Sequence, residues 1–525
     1  MHVLVSQFFR LFLPLACLLL LAGATPPADT AARIQDLLIK GDTANFEMRD
    51  FDLAALRDFY GSRSYQTAWT AGEMPTRDAE IALTALTHAV EDGLDAAQYH
   101  VNEIRNRQRA ATAEGRAEFE LLLTDGLLRF ARDLRSGRSQ LRALDRDVDL
   151  PAEPFNAPGA LNDALSSGHL SGFLETLAPP HPPYDRLKQA LARYRHIVDV
   201  GGWEPILGPI PDSLDTQSPP TDNLAKRLAL EDEGLTAEPA QDLKAALQEF
   251  QHHHGLEADG RLGPKTMEAL NIPVSARVDA IEANMERWRW LPRDLGRRYI
   301  LVNAADATLA VVDSGRVVLR SKVIVGKSST RTAIFTANIT AVTINPDWKI
   351  PASIARKEIL PKARRNPNYL SKNHIVIGPS GTLRQLPGPD NSLGQIKLEM
   401  PNRFDEYLHD TPARTLFART ERHLSHGCMR VEQIQPLASF AMTGDPEKGV
   451  PDIQADIAEG ANKRISLDAV LPVFVVYWTV IANEDGSVDF VRDVYGRDQR
   501  LLSSLAGKRL VGRVTMNTAS ECSKT

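Results

Sequence analysis

One cysteine and three histidines, Cys428 with His409, His423 and His426, share the short stretch EYLHDTPARTLFARTERHLSHGCMRVEQ. A thiol attacks carbon only as thiolate, and an unperturbed cysteine, with a pKa of about 8.5, is mostly protonated near neutrality. An imidazole beside it can take that proton and later return it to a leaving amine. Gly427 permits close backbone approach, so amide N–H groups around it could meet a developing oxyanion. Arg430 adds a positive charge that favours the thiolate and could hold a substrate carboxylate. These residue types fit acyl transfer through a thioester.

Two other readings use the same residues. His409, His423, His426 and Cys428 could form a zinc site of nitrogens and one sulfur. Against it, His426 and Cys428 stand two apart, and neither a Cys-x-x-Cys nor a His-x-x-x-His framework is present. Alternatively, Cys428 is a packed core thiol, because free cysteines are often buried. The three consecutive histidines His252, His253 and His254 are poorly placed for one metal, since neighbouring side chains on a helix diverge. A solvated helix end is the expectation there. No metal and no cofactor are expected.

The elements that must position the stretch are β-rich. YILVNAADATLAVVD and RVVLRSKVIVG read as strands joined across Asp313-Ser314-Gly315. AVTINPDWKIP adds a strand stopped by Pro346, and LPVFVVYWTVIA and SVDFVRDVYG flank an Asp485-Gly486 turn. Residues 351–373 (PASIARKEILPKARRNPNYLSKN) form a basic, helical insert between strand-like regions. Upstream, residues from about Ala31 to Val198 read as helices with charged residues on solvated faces, and Gly93 and Gly137 end two of them. A proline-rich connection runs from Gly201 to Asn223. In the unit that follows, Leu243, Leu247 and Phe250 share a helical face, and Gly263-Pro264 starts a second helix.

That last unit resembles the small peptidoglycan-binding domain of wall enzymes, on Phe250, Gln251, Gly255, Leu256, Asp259, Gly260, Gly263, Pro264, Thr266, Leu270 and Asn271. Ser425-His426-Gly427-Cys428-Met429-Arg430, with His409 in Tyr407-Leu408-His409-Asp410-Thr411-Pro412, is similar to the L,D-transpeptidase signature. Asn345 to Pro351, Leu386 to Pro389 with Asn391 and Leu393-Gly394, and Asp493 to Gly496 with Asp498 resemble the large periplasmic branch of that family. The resemblance implies a multidomain α+β protein. Its parts would be a helical N-terminal scaffold, a small three-helix peptidoglycan-binding module and a β-sandwich-like catalytic domain with a helical cap insert. The corresponding spans are 1–24 (signal peptide), 25–198 (scaffold), 199–276 (linker and binding module), 277–505 (catalytic domain, cap 351–373) and 506–525 (tail).

The resemblance also implies roles. Cys428 would be the acylated nucleophile and His409 the base, its ring oriented by a backbone carbonyl near Asp410. Gly427 and Cys428 amides would line the oxyanion hole, Arg430 would sit nearby, and Ser425, His426 and Asp410 would support the site. Trp348, Tyr407, Asn391 and Arg384 are candidates for the substrate groove, while His423 takes a surface loop position. The partners implied are peptidoglycan stem peptides and glycan strands, with association with other wall-synthesis enzymes as a further expectation. The alternatives are another reaction at the same thiol, either hydrolysis of the stem peptide or transfer to a lipoprotein, and a non-catalytic wall-binding scaffold, which the Cys428–His409 pair argues against.

The whole chain agrees with this setting. Its 525 residues exceed one core, and 43% hydrophobic with 24% charged content is globular. A formal charge of −6 and the lack of a basic run argue against nucleic acid as a partner. Arg10, the apolar run LFLPLACLLLLAGA and the Ala22-Gly23-Ala24 pattern read as a cleavable signal peptide, which implies a periplasmic protein. Of the cysteines Cys17, Cys428 and Cys522, the first would leave with the signal, so no disulfide framework holds the fold.

Overall fold

The computed structural model describes residues 29–40, 51–138, 145–207, 219–232 and 242–506. The expected signal peptide, Cys17 and Cys522 lie outside these residues. No helix among the described residues is long and apolar enough to cross a membrane.

The N-terminal part is a helical bundle built around the helix Ala113–Ser136. Thr112 starts it by accepting a hydrogen bond from the Gly115 N–H, and Gly137, at φ +81°, stops it. Leu121, Leu123 and Leu127 on this helix are fully buried. So is Glu120, which corrects the expectation that charged residues here face solvent. Its carboxylate accepts from the N–H groups of Ala68 and Trp69 and from the hydroxyls of Tyr60 and Thr70. These donors compensate a charge that burial alone would make costly, and they tie an irregular segment to the central helix.

The scaffold core does not stop at the scaffold. It continues through the helix Val274–Trp288 into Phe474, Trp478, Val480 and Phe490, with Trp288 and Trp478 stacked at 4.1 Å. The sequence boundary at 276/277 falls inside that continuous helix.

The binding module is a three-helix unit of Pro219–Asp232, Leu243–His253 and Pro264–Leu270 around Leu224, Leu228, Leu247, Phe250 and Leu270. Gln251 is its buried fastener: its amide donates to the Arg261 carbonyl and Thr266 Oγ1 and accepts from the Gly260 N–H. The histidine run is not a solvated helix end. His252 is exposed, but His254 is buried, with Nδ1 on the Phe250 carbonyl at 2.7 Å. His253 Nδ1 meets Asp489 at 2.5 Å. The cause is tertiary: the hairpin Val480–Ala482/Val488–Phe490 packs against the helix end.

The C-terminal β-domain folds one sheet over itself, which gives the sandwich-like form. Ile334–Ile344 pairs with Ile396–Glu399, then follow Leu408–His409, Met429–Val431, Arg316–Gly326, Thr308–Asp313, Arg298–Asn303 and Lys463–Val476, which pairs again with Ile334–Ile344. The core inside is built from alternating β-branched and aliphatic residues such as Val302, Val323, Val342, Leu398 and Val473. The insert is larger than the sequence suggested. Its helical part, Ala352–Lys372, joins a separate three-stranded sheet of Trp348–Lys349, Leu383–Gln385 and Ile375–Ile377. Ile350, Ala355, Ile359, Ile375 and Leu383 form its own small core.

Candidate active site

Strand parity builds the site. Leu408–His409 lies parallel to Met429–Val431, with Leu408 opposite Met429 and His409 opposite Arg430. On the other side His409 faces Lys397. Side chains alternate across a strand and cross-strand partners share a face. Leu398, Leu408 and Met429 therefore point into the core, where all are fully buried. Lys397, His409 and Arg430 form a row on the opposite face. Cys428 immediately precedes that strand, two residues before Arg430, and its thiolate form acts electrostatically on the Arg430 guanidinium.

His409 is oriented as the resemblance implied. Its Nδ1 lies 2.6 Å from the Asp410 carbonyl oxygen. A carbonyl only accepts, so Nδ1 carries the proton and Nε2 is the basic nitrogen of the neutral ring. Burial, followed by the Arg430 charge, pulls its pKa down to about 3, against the opposing Asp410 carbonyl. The resting ring is thus a proton acceptor. Asp410 is itself fixed, with Oδ1 on Arg414 Nη1 at 3.1 Å and Oδ2 on the Gln395 N–H at 3.0 Å. Gly394 makes room for it: at φ +63°, a Cβ there would lie 2.4 Å from Asp410 Oδ2.

Cys428 is half-buried, its Sγ 3.9 Å from the carbonyl of Asp405. Arg430 is pulled below its ordinary pKa by burial, while the Cys428 thiolate form opposes that shift. Arg430 Nε is buried without a hydrogen-bond partner among the described residues, a donor that an incoming anion would satisfy. Ser425 Oγ donates to the Cys428 carbonyl at 2.7 Å and accepts the Gly427 N–H at 3.2 Å. This corrects one expectation. The Gly427 amide is turned onto Ser425, so Gly427 contributes its φ of +124° and its missing side chain, and not an open oxyanion donor.

Other sequence candidates divide. Tyr407 is half-buried beside the histidine, its ring 5.6 Å from that of His409 and under Lys397 Nζ at 4.2 Å. Trp348 packs into the core of the insert, and Arg384 is an exposed partner of Asp347 on the insert sheet. Asn391 is no groove residue: it is buried, its amide donates to the carbonyls of Pro346 and Leu386, and its Oδ1 accepts from Leu393. His423 is not in a surface loop. It lies in the strand His423–Ser425, between Glu421 at 2.8 Å and the Ala304 carbonyl at 3.0 Å. His426 Nε2 reaches Glu358 Oε1 of the insert at 2.6 Å.

Three contributors escaped the sequence reading. Thr332 Oγ1 donates to the Gly427 carbonyl at 2.7 Å. Lys397 adds charge to the row. Glu406 is buried beneath Gly427, where a Cβ on that glycine would come within 3.1 Å of its Oε1. Burial pushes the Glu406 carboxyl well up, against the Ala333 N–H that it accepts. Parity was the available signal for Glu406, because it shares the inward face with Leu408.

Residues 297–448, which contain this row, match the L,D-transpeptidase catalytic domain. That region of the chain is similar to the L,D-transpeptidase family. Residues 229–270 match a peptidoglycan binding domain and residues 54–191 a scaffold domain. A Haemophilus influenzae protein whose name assigns it provisionally to the L,D-transpeptidases is 31% identical, over 47% of this chain and 54% of that protein. The chain thus spans about half the length of the relative it matches. Among solved structures, the Ldtfm–avibactam carbamoyl enzyme is 13% identical over 34% of this chain and 49% of that one, with a TM-score of 0.19. An L,D-transpeptidase fragment from Xylanimonas cellulosilytica is 16% identical over 51% of this chain and all of its own, with a TM-score of 0.17. At those scores, neither bears on how this chain folds.

Proposed function

We propose that this protein is a periplasmic peptidoglycan L,D-transpeptidase that forms 3→3 crosslinks. The observation that carries the reading is the cross-strand pair of His409 and Arg430, with Cys428 just ahead of the Arg430 strand and His409 Nδ1 held on the Asp410 carbonyl. His409 Nε2 takes the thiol proton, and the Cys428 thiolate attacks the carbonyl of the third residue, a diamino acid, in a tetrapeptide stem. The C–N bond to the terminal D-alanine breaks, and His409 returns the proton to the departing amine. The side-chain amine of a second stem then attacks the thioester carbonyl, His409 Nε2 takes its proton, the C–S bond breaks, and that proton returns to the Cys428 sulfur to restore the thiol. One amide replaces another, so no external energy source is required. Arg430 and Lys397 supply the positive field for the donor's terminal carboxylate and for the oxyanion. The binding module holds the enzyme on glycan strands.

Cys428→Ala tests the reading. In a host without this activity, the wild-type chain should generate 3→3 crosslinks visible by muropeptide mass spectrometry, and the variant none. A carbapenem should add its mass to the wild-type chain only. Equal crosslink levels from both proteins would sink the assignment.

A further inference from the structure

We infer that Glu358 and His426 form the subsite for the acceptor amine: the Glu358 carboxylate takes the acceptor's ammonium in exchange for the imidazole it now holds. The inference rests on the transferase reading above and names the part of the site that admits the second substrate.

Charge distribution is the first argument. Within residues 351–373 stand Arg356, Lys357, Lys362, Arg364, Arg365 and Lys372, and Glu358 is the one acid. That single carboxylate does not point at random: it crosses to His426 Nε2 at 2.6 Å. His426 precedes Cys428 by two residues, a chain distance of at most about 7 Å. The one acid of the insert is therefore docked against the nucleophile's own motif.

The floor of the site supplies the second argument. Lys397 and Arg430 make it basic, which suits a donor carboxylate and repels an approaching ammonium. A cationic acceptor needs a compensating acid at the lip, and Glu358 is the acid placed there. Both partners are reachable, with 40% of the Glu358 side chain and 35% of the His426 side chain exposed, so an ammonium from solvent can replace the ring. An ammonium offers several N–H donors to the carboxylate where the imidazole offers one.

Local backbone explains why Glu358 is presented this way. Ala355–Ile359 is a π turn inside the insert helix. Pro361, just beyond it, has no N–H for the Lys357 carbonyl, which widens the turn. The bulge fixes the direction of Glu358 without help from a large core.

The test is steady-state kinetics on the full chain and its Glu358→Gln variant, with a tetrapeptide donor and a tripeptide acceptor carrying a free side-chain amine. The apparent KM for the acceptor should rise about tenfold, the cost of one charge-assisted contact, and product should shift from crosslink towards hydrolysed donor. Acylation of Cys428 by a carbapenem, which involves no acceptor, should change less than twofold. Glu358→Asp should recover part of the acceptor affinity, and thermal melting checks that each variant folds. An unchanged acceptor KM overturns the inference; paired with faster acylation, it would make the contact a closing latch instead. Failure of the wild-type chain to acylate at all would instead overturn the transferase reading, and the subsite with it.

Discussion

The floor and the insert of this site are built in opposite ways. The floor is one layer of a closed sheet, and each inward residue beneath it, Leu398, Leu408 and Met429, is fully buried. The insert rests on a small cluster of its own and carries an exposed, basic surface. Close packing fixes geometry, because small displacements of a dense core are costly. Lightly packed segments instead open at low free energy. The floor is therefore suited to hold Cys428 and His409, the nucleophile and base of the proposed reaction, and the insert to admit and select what reaches them.

Breaking the floor should have the largest consequence. His409→Gln removes the proposed base while keeping a side chain of similar size, and should lower the acylation rate about 10²–10⁴-fold. Stopped-flow acylation by a chromogenic β-lactam reads it, and a loss below tenfold would move the base elsewhere. Next comes the packing contrast. Leu408→Ala should cost about 2–5 kcal/mol of global stability by leaving a cavity under the row. Ile359→Ala, in the insert core, should barely move the melting temperature and should instead speed amide exchange within 351–373. Equal losses of global stability would erase the distinction between the two regions.

The sequence carried more of the floor than of the insert, for a physical reason. Strands with period-2 alternation announce which residues face inward, and Cys428, His409 and Arg430 stand in one compact stretch, so their assembly was legible. The Gly427 amide was misjudged because a hydroxyl two residues away, Ser425 Oγ, captures it, and such local hydrogen bonds leave no mark in composition. Asn391 looked like a groove residue but closes a loop with backbone carbonyls. His253 and His254 looked solvated until a hairpin more than two hundred residues later in the chain covered them. Glu358 lay inside an apparently uniform basic run, and its pairing with His426 bridges 68 positions that no local pattern connects.

The pH dependence of stability is the cleanest measure of how firmly the floor holds His409. His409 sits at about 3 in the folded chain, against an ordinary value of about 6.5 when unfolded. Its folded pKa is depressed, so the unfolded chain binds this proton first as the pH falls. Full stability is present above about pH 6.5, is lost progressively below it, and stops falling near pH 3. By linkage, the loss from this one group at pH 5 is about 2 kcal/mol. Denaturant melts of the wild-type chain and His409→Gln at pH 7 and pH 5 isolate it, because glutamine does not titrate. The wild-type chain should lose about 2 kcal/mol more than the variant over that interval. Parallel losses would mean that the ring protonates freely when folded, and that the floor is as open to water as the insert.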